Sequence, residues 1–383
     1  MHLIGLFLFS LIFLFWIVQG LRISRGALRL PHLENQAPCE TSCPSITLIF
    51  GARDEEEKLP RALSTLAEVD YPALEIIAVN DRSSDTTPTI LREAARRDSR
   101  LKIVHVENLP EGWLGKPHAL QKGYEGSKGE WLLFTDADVC FKPASLRRAM
   151  GMAQGLGLDH LTLMGDIEMH GFWEKTVLTF FALGFYIGTN PAAVSDPNSR
   201  AYLGVGAFQL VKRSAYEASG THRRLAMEVV DDLKLGKIVK RAGFRSAVGL
   251  AGDYVSVRWH SGIQNIVQGV TKNFFAVAGY STGTVAFQLA GIFCTNVLPF
   301  VVLPFLSGWT QLLAAASVTI ALAAHAGTAR VMKAASLYAL TQPLGAVIFG
   351  YMLLRSTVVT LRQGGVVWRN TFYPLEELRR GLV

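Results

Sequence analysis

Charge is scarce in this chain: Asp, Glu, Lys and Arg make up 18% of its 383 residues, against 50% apolar. That balance excludes an intrinsically disordered protein, which needs high charge and few apolar side chains. Four cysteines are too few for a disulfide scaffold, and neither Gly nor Pro is biased enough for a fibrous protein. Cys39 and Cys43 lack a second pair at zinc spacing, and Cys140 and Cys294 sit in apolar surroundings. No metal or redox role follows for them, and all four are expected to be reduced. The longest gap in charge runs from Phe274 to Ala329, 56 residues without one Asp, Glu, Lys or Arg, and Ala334 to Leu354 adds 21 more. Such lengths exceed a single core helix and point to membrane insertion.

What charge there is divides unevenly. Residues 1 to 232 carry 24 basic against 28 acidic side chains, and residues 233 to 383 carry 14 against 3, so the net +7 belongs to the second part. Its basic residues border apolar runs, where anionic lipid headgroups attract them. No interleaving of aromatic and basic residues suited to stacking bases is present, so nucleic acid is not an expected partner. Met1 to Gly20 has no formally charged residue and is followed by Arg22, Arg25 and Arg29. With no basic stretch before it and no small-x-small cleavage site behind, it reads as a retained anchor whose basic flank stays in the cytosol.

The expected layout is a transmembrane helix at 1–20, a linker at 21–43 and an α/β domain at 44–273. An interfacial segment at 274–284, about three membrane segments within 285–356 and a basic tail at 357–383 complete it. Three spans leaving a cytosolic domain would put Arg362, Arg369, Arg379 and Arg380 outside, whereas the positive-inside rule prefers that tail in the cytosol. Either one apolar segment is re-entrant or the first crosses twice.

Within the middle of the chain, short β-branched runs alternate with helical patterns. Strands are expected at Ser45 to Phe50, Leu74 to Val79, Leu101 to Val106 and Trp131 to Phe134, with helices at Glu55 to Val69 and Thr87 to Arg97. That alternation implies an open, mainly parallel sheet covered on both faces, with ligands bound beyond the carboxyl ends of its strands. Arg53, Asp81, Asp136 and Asp138 all fall at such ends. On an extended backbone Asp136 and Asp138 would point the same way, and hard cations such as Mg²⁺ or Mn²⁺ take carboxylate oxygens. An Asx turn or helix cap is the plainer reading of that pair. Asp85 reads mainly as a cap for the following helix. Gly115-Lys116-Pro117 does not fit a phosphate loop, because its spacing from Gly112 is wrong and Pro117 replaces the Ser or Thr. His118 has no assigned role.

Taken together, these motifs resemble the inverting family-2 glycosyltransferases of GT-A fold, and most closely their membrane-bound branch of ceramide glucosyltransferases and hopanoid- and carotenoid-associated enzymes. Ala52-Arg53-Asp54-Glu55 is similar to the family's A-R-N-E, with Asp54 replacing Asn. Asn80-Asp81-Arg82-Ser83-Ser84-Asp85 is similar to the segment that contacts the nucleotide base. Gly115-Lys116 with Ala119-Leu120 is similar to G-K-x-x-A-L, and Thr135-Asp136-Ala137-Asp138 to the metal-binding D-x-D. Gly204 to Arg213 resembles the glycine-containing strand of the acceptor side, and Asp231-Asp232 the E-D pair of E-D-x-x-L-G.

The resemblance implies a nucleotide-sugar donor, a UDP-sugar favoured, held by Ala52, Arg53, Glu55, Asp81, Lys116 and Asp136. It implies Mg²⁺ or Mn²⁺ on Asp138 and Asp136, Asp232 as catalytic base, and Gly206, Asp231 and Lys272 on the acceptor or diphosphate side. Relatives carry a Q/R-x-x-R-W motif about forty residues past the base. Here Arg258-Trp259 comes at 26 and Lys272-Asn273 at 40, so the motif is degenerate, which weighs against a processive polymer synthase. A lipid acceptor is expected, with the segment from Trp173 to Ile187 and Phe274-Phe275 at the bilayer surface; a buried helix is the alternative reading of that segment. The implied protein is multi-pass, in a bacterial plasma membrane, with its catalytic domain cytoplasmic. Transfer to a polyprenyl phosphate or polysaccharide precursor, and a catalytically silent scaffold, are the alternatives.

Overall fold

The computed structural model describes residues 2–40 and 43–383; Met1 of the expected anchor and Thr41 and Ser42 of the expected linker lie outside them. The chain forms two compact units. One comprises Leu30–Glu168, Pro191–Trp259 and Val367–Val383, and the other Met1–Arg29, Met169–Asn190 and His260–Val366. Two stretches within the expected 44–273 domain therefore pack with the apolar helices.

The first unit is built on an eight-stranded sheet. Its strands are β1 (Ile46–Ala52), β2 (Leu74–Asp81), β3 (Leu101–Val106), β4 (Trp131–Phe134), β5 (Val139–Phe141), β6 (His160–Ile167), β7 (Gln209–Lys212) and β8 (Ser246–Val257). They lie in the order β3-β2-β1-β4-β7-β6-β8-β5. β1 pairs in parallel with β2 and β4, β2 with β3, and β6 with β8, while β7 runs antiparallel to both β4 and β6. The open, mainly parallel sheet expected from the sequence is thus present. Its central strands β1, β2 and β4 are buried along nearly their whole length because both faces are covered. Leu48 and Phe50 of β1 join Leu59 and Leu63 of the helix Leu59–Ala67 in one core, and Ile49 joins Ala119 and Leu120 of the helix Gly115–Glu125 in the other.

The expected linker is partly built into this unit. Leu33 is fully buried, His32 forms a parallel bridge to Leu250, and the Cys39 N–H donates to the Arg147 carbonyl at 2.9 Å. Cys39 and Cys43, expected to be reduced, are instead paired as a disulfide: their Cα atoms stand 5.7 Å apart, within the range such a bond spans. Cys140 and Cys294 are free.

The second unit contains four helical stretches long and apolar enough to cross a membrane: Leu3–Ala27, Thr282–Phe305, Gly308–Val331 and Ser336–Gln363. The first outruns the expected 1–20, since nothing in Leu21 to Ala27 breaks a helix. Trp16 is fully buried in the core of this unit and its Nε1 donates to the Thr295 carbonyl at 3.0 Å. The stretch after Thr282 is interrupted at Val297 and restarts at Leu298–Val302, where Pro299 removes a donor. Phe274 and Phe275, of the expected interfacial segment, lie in the short helix Phe274–Val277 and are buried, Phe274 against Phe349 and Phe275 against Tyr280. The segment expected at the bilayer surface forms the helix Gly171–Thr189, which buries Val177, Leu178, Phe180 and Leu183 and leaves Phe172 and Trp173 half exposed.

Candidate active site

The loops after β1 and β2 hold each other. Asp54 adopts φ of +53° and Arg82 of +56°, conformations a non-glycine residue keeps only where its surroundings fix them. The Asp54 carboxylate accepts the Ser84 N–H at 2.7 Å, and Thr87 Oγ1 accepts the Glu55 N–H at 2.9 Å. Asp85 accepts the N–H groups of Thr87 and Glu56, which holds its carboxyl below the usual range even though burial acts to raise it. It caps the following helix as expected. The Arg53 Nε and Asn80 Oδ1 atoms are buried and have no hydrogen-bond partner, so this corner offers polar atoms to a ligand.

Asp81 ends β2, 4% exposed, with its two oxygens 2.7 and 2.9 Å from the Arg82 guanidinium. A Cβ on Gly115 would lie 2.7 Å from Asp81 Oδ2, so only glycine lets the next helix start this close to the carboxylate. Lys116, in the first turn of that helix, donates to Asp136 Oδ1 at 2.6 Å and lies 3.9 Å from Asp231. Burial acts to lower its pKa, but the charges of Asp136, Asp231 and Asp232 outweigh it and hold the ammonium well above its ordinary value.

The extended backbone expected at the D-x-D pair is not found. β4 stops at Phe134, and Ala137 and Asp138 form a turn before β5. The two carboxylates take different cations: Asp136 binds Lys116, and Asp138 Oδ2 accepts from Lys58 Nζ at 2.8 Å. The Asp138 carboxyl is raised by burial and by the neighbouring Asp136 charge, with Lys58 acting in the opposite direction. Lys58 spends its other donors on the carbonyls of Arg258 and Trp259, at 3.0 and 3.1 Å. The Arg258-Trp259 pair therefore reaches this site through its backbone.

The expected strand from Gly204 is extended only at Gln209–Lys212; Gly204 to Ala207 form a loop. A Cβ at Gly204 would fall on the Asp232 carbonyl, and one at Gly206 would lie 2.6 Å from Asp136 Oδ2 and 3.2 Å from Asp232 Oδ2. The Gly206 N–H donates to Asp232 Oδ2 at 3.0 Å, and the Leu233 N–H to Asp232 Oδ1 at 2.8 Å. Asp232 thus opens the helix Asp231–Arg241 with its carboxylate beside that of Asp136. Asp231 is 3% exposed and lies 3.9 Å from both Lys116 and His222, where its charge acts on Lys116. Burial, with Lys116 adding to it, pushes the His222 imidazole down to about 3.

Asp81, Lys116, Asp136, Asp138, Asp231, Asp232 and Gly206 are therefore gathered at one end of the sheet, with Ala52 at the end of β1 and Arg53 and Glu55 in the loop beyond it. Lys272 follows the helix Gly262–Val270 and belongs to the unit of apolar helices. Lys58 was missed by sequence reasoning, although a single base following four consecutive acids, Asp54 to Glu57, was a visible signal.

Two carboxylates suit a hard cation that keeps several waters and takes its remaining oxygens from a substrate diphosphate. Among the described residues no group of three or more His, Cys, Asp or Glu is placed to hold a metal by itself. The neighbouring, like-charged Asp136 and Asp138 call for positive charge, which Lys58 and Lys116 supply in this structure.

The family model described as "Glycosyl transferase family 2" matches residues 47–220. Over 241 residues the chain is 26% identical to a 4,4'-diaponeurosporenoate glycosyltransferase of Staphylococcus haemolyticus, across 62% of this chain and 63% of the relative. Over 204 residues it is 24% identical to a beta-monoglucosyldiacylglycerol synthase of Trichormus variabilis, across 52% of this chain and 42% of the relative. The matches thus span less than two thirds of the length of these relatives. A mannosyltransferase from Pyrobaculum calidifontis, solved with GDP-Man and Mn²⁺, shares the fold: TM-score 0.57 at 20% identity, over 94% of this chain and 98% of that one.

Proposed function

We propose that the chain is a family-2 glycosyltransferase that transfers a sugar from a nucleotide-diphosphate donor to a hydroxyl of a membrane lipid, with inversion at the anomeric carbon. The observation that carries this reading is the Asp232 carboxylate, fixed by the Gly206 and Leu233 N–H groups beside Asp136. Asp232 takes the proton of the acceptor hydroxyl as its oxygen attacks the anomeric carbon from the face opposite the diphosphate. Lys116, held cationic by three carboxylates, offsets charge on the departing diphosphate. Asp81 and the Arg53 to Glu55 loop hold base and ribose, with a UDP-sugar favoured. Mg²⁺ or Mn²⁺ on Asp136 and Asp138 would supply further neutralisation of that leaving group.

Lipid as acceptor is supported by the four apolar helical stretches and by a cavity of ≈ 400 Å³ in their unit. Its lining includes the half-exposed Phe172 and Trp173 and the buried Glu174, whose oxygens accept the His170 and Gly262 N–H groups at 2.6 and 2.7 Å. Lys272, which belongs to this unit, is proposed to add positive charge on the diphosphate side. The basic flank Arg22, Arg25 and Arg29 supports a cytoplasmic catalytic unit.

The test uses purified full-length protein in lipid nanodiscs with radiolabelled UDP-glucose and GDP-mannose. Label extracted with the lipids, stable to mild acid and lost with a divalent-cation chelator, is the expected result. Acid-labile label would favour a polyprenyl-phosphate product, and the absence of both transfer and donor hydrolysis would favour a silent scaffold.

A further inference from the structure

The chain returns from its apolar helices to the sheet unit, to which Val367–Val383 belongs. Arg369 and Asn370 turn it at φ of +49° and +62°, between extended stretches at Gly365–Trp368 and Thr371–Pro374, and a short helix, Leu375–Arg380, follows. At the turn, Arg369 Nη1 donates to the Asp54 carbonyl at 3.2 Å and Nη2 to Glu55 Oε1. Tyr373 is buried, close enough to Arg82 for its phenol to act on the guanidinium. Leu375 and Leu378 are buried, and Gly381 meets Met227 with no room for a Cβ. The Val383 N–H then donates to Glu228, and its carbonyl oxygen accepts from Lys234 and Lys237, two residues of the helix that begins at Asp231. This basic segment therefore runs from the loop after β1, past Asp81-Arg82, to the helix carrying Asp232.

We propose that the tail is a strap of the donor site, with Arg369 as a positioning residue. The loop it grips presents four consecutive acids, Asp54 to Glu57, where a doubly charged diphosphate has to approach. Arg369 offsets the Glu55 charge and, with Ser83 and Ser84 on the other side, holds Asp54 in its left-handed conformation. Burial, with the Asp138 charge, raises the Glu55 carboxyl while Arg369, with Lys58, pulls it back down, so the tail supplies part of this carboxylate's charge compensation. The inference rests on the assignment of the β1 loop and Asp81 to the donor.

The test is calorimetric titration of UDP and of GDP, with Mn²⁺, into full-length protein in nanodiscs, for wild type, Arg369→Ala, Arg369→Lys and Asp81→Asn, with transfer kinetics alongside. Arg369→Ala weakens nucleotide binding and raises donor KM about fivefold, with kcat within about twofold, and Arg369→Lys recovers part of the loss. Unchanged affinity in Arg369→Ala, or a fall in kcat at constant KM, overturns the strap. A wild type that binds neither nucleotide, or binding unaffected by Asp81→Asn, overturns the donor assignment and the strap with it.

Discussion

Replacing Gly206 by alanine puts one methyl group between the two carboxylates at the centre of the site. The added carbon would stand 2.6 Å from Asp136 Oδ2 and 3.2 Å from Asp232 Oδ2. Ordinary contact is roughly 3.4 Å, so Asp136 must retreat by about 0.8 Å and Asp232 by about 0.2 Å. Asp136 is 40% exposed and swings outward at the expense of its 2.6 Å bond to Lys116, so the fold absorbs the change. A displacement of that size in a reacting group costs on the order of a hundredfold in rate. Gly206→Ala is therefore expected to lower kcat about a hundredfold with the melting temperature within a few degrees of wild type. Gly204→Ala provides the contrast: its Cβ would fall on the Asp232 backbone carbonyl, which cannot swing away, so it is expected to lower the melting temperature as well. Transfer of radiolabelled sugar and thermal unfolding of the same preparations decide the matter. A Gly206→Ala enzyme with kcat within about twofold of wild type would refute the placement of Asp136 and Asp232 at the reacting centre.

Lys58 occupies Asp138 with an ammonium, so Lys58→Met is expected to tighten Mn²⁺ binding in the presence of UDP by about three- to tenfold, read by calorimetry; weaker binding would show that Lys58 assists the cation instead of competing. His160 and His222 are buried, and burial lowers their pKa values to about 4 and about 3. Their contribution to stability is complete above the unfolded value near 6.5 and is lost as pH falls from there toward 4 and 3, about 2 kcal/mol each by pH 5. A melting temperature that stays flat between pH 7 and pH 5 would contradict this. With Trp259 and Val367 both in the sheet unit, the intervening chain is expected to cross the membrane an even number of times, and of its three long apolar stretches the one broken at Val297 is the re-entrant candidate. Thiols introduced at the exposed Ser99 and Glu377 should label from the same side of oriented vesicles, and labelling from opposite sides would exclude that topology.

The first half of the fold was legible because its information is local. The stretches Leu101 to Val106, Trp131 to Phe134 and Thr87 to Arg97 were expected and found with the same bounds, and the first two strands run only two residues further than expected. Their signal is a β-branched run closed by an Asp or Gly turn, which short-range sequence carries. The other half of the sheet was not legible. β7 enters antiparallel between β4 and β6, a pairing set by contacts far apart in sequence and marked by no local pattern. At the site, Asp81, Asp136, Asp138 and Asp232 stand out by residue type at strand and helix ends. Lys58, His222 and Arg369 do not, because their importance comes from what folding brings to them: a carboxylate 80 residues away for Lys58 and a loop 314 residues away for Arg369.

The most direct test is Asp232→Asn. The amide keeps the shape of the side chain and can still accept the Gly206 N–H, but it cannot take a proton from the acceptor. In full-length protein in nanodiscs, UDP affinity measured by calorimetry should stay within about twofold of wild type while sugar transfer to lipid falls by a thousandfold or more, roughly the contribution of a general base with its orientation. Near-normal transfer by an Asp232→Asn protein that binds donor normally would contradict the assignment of Asp232 as the base.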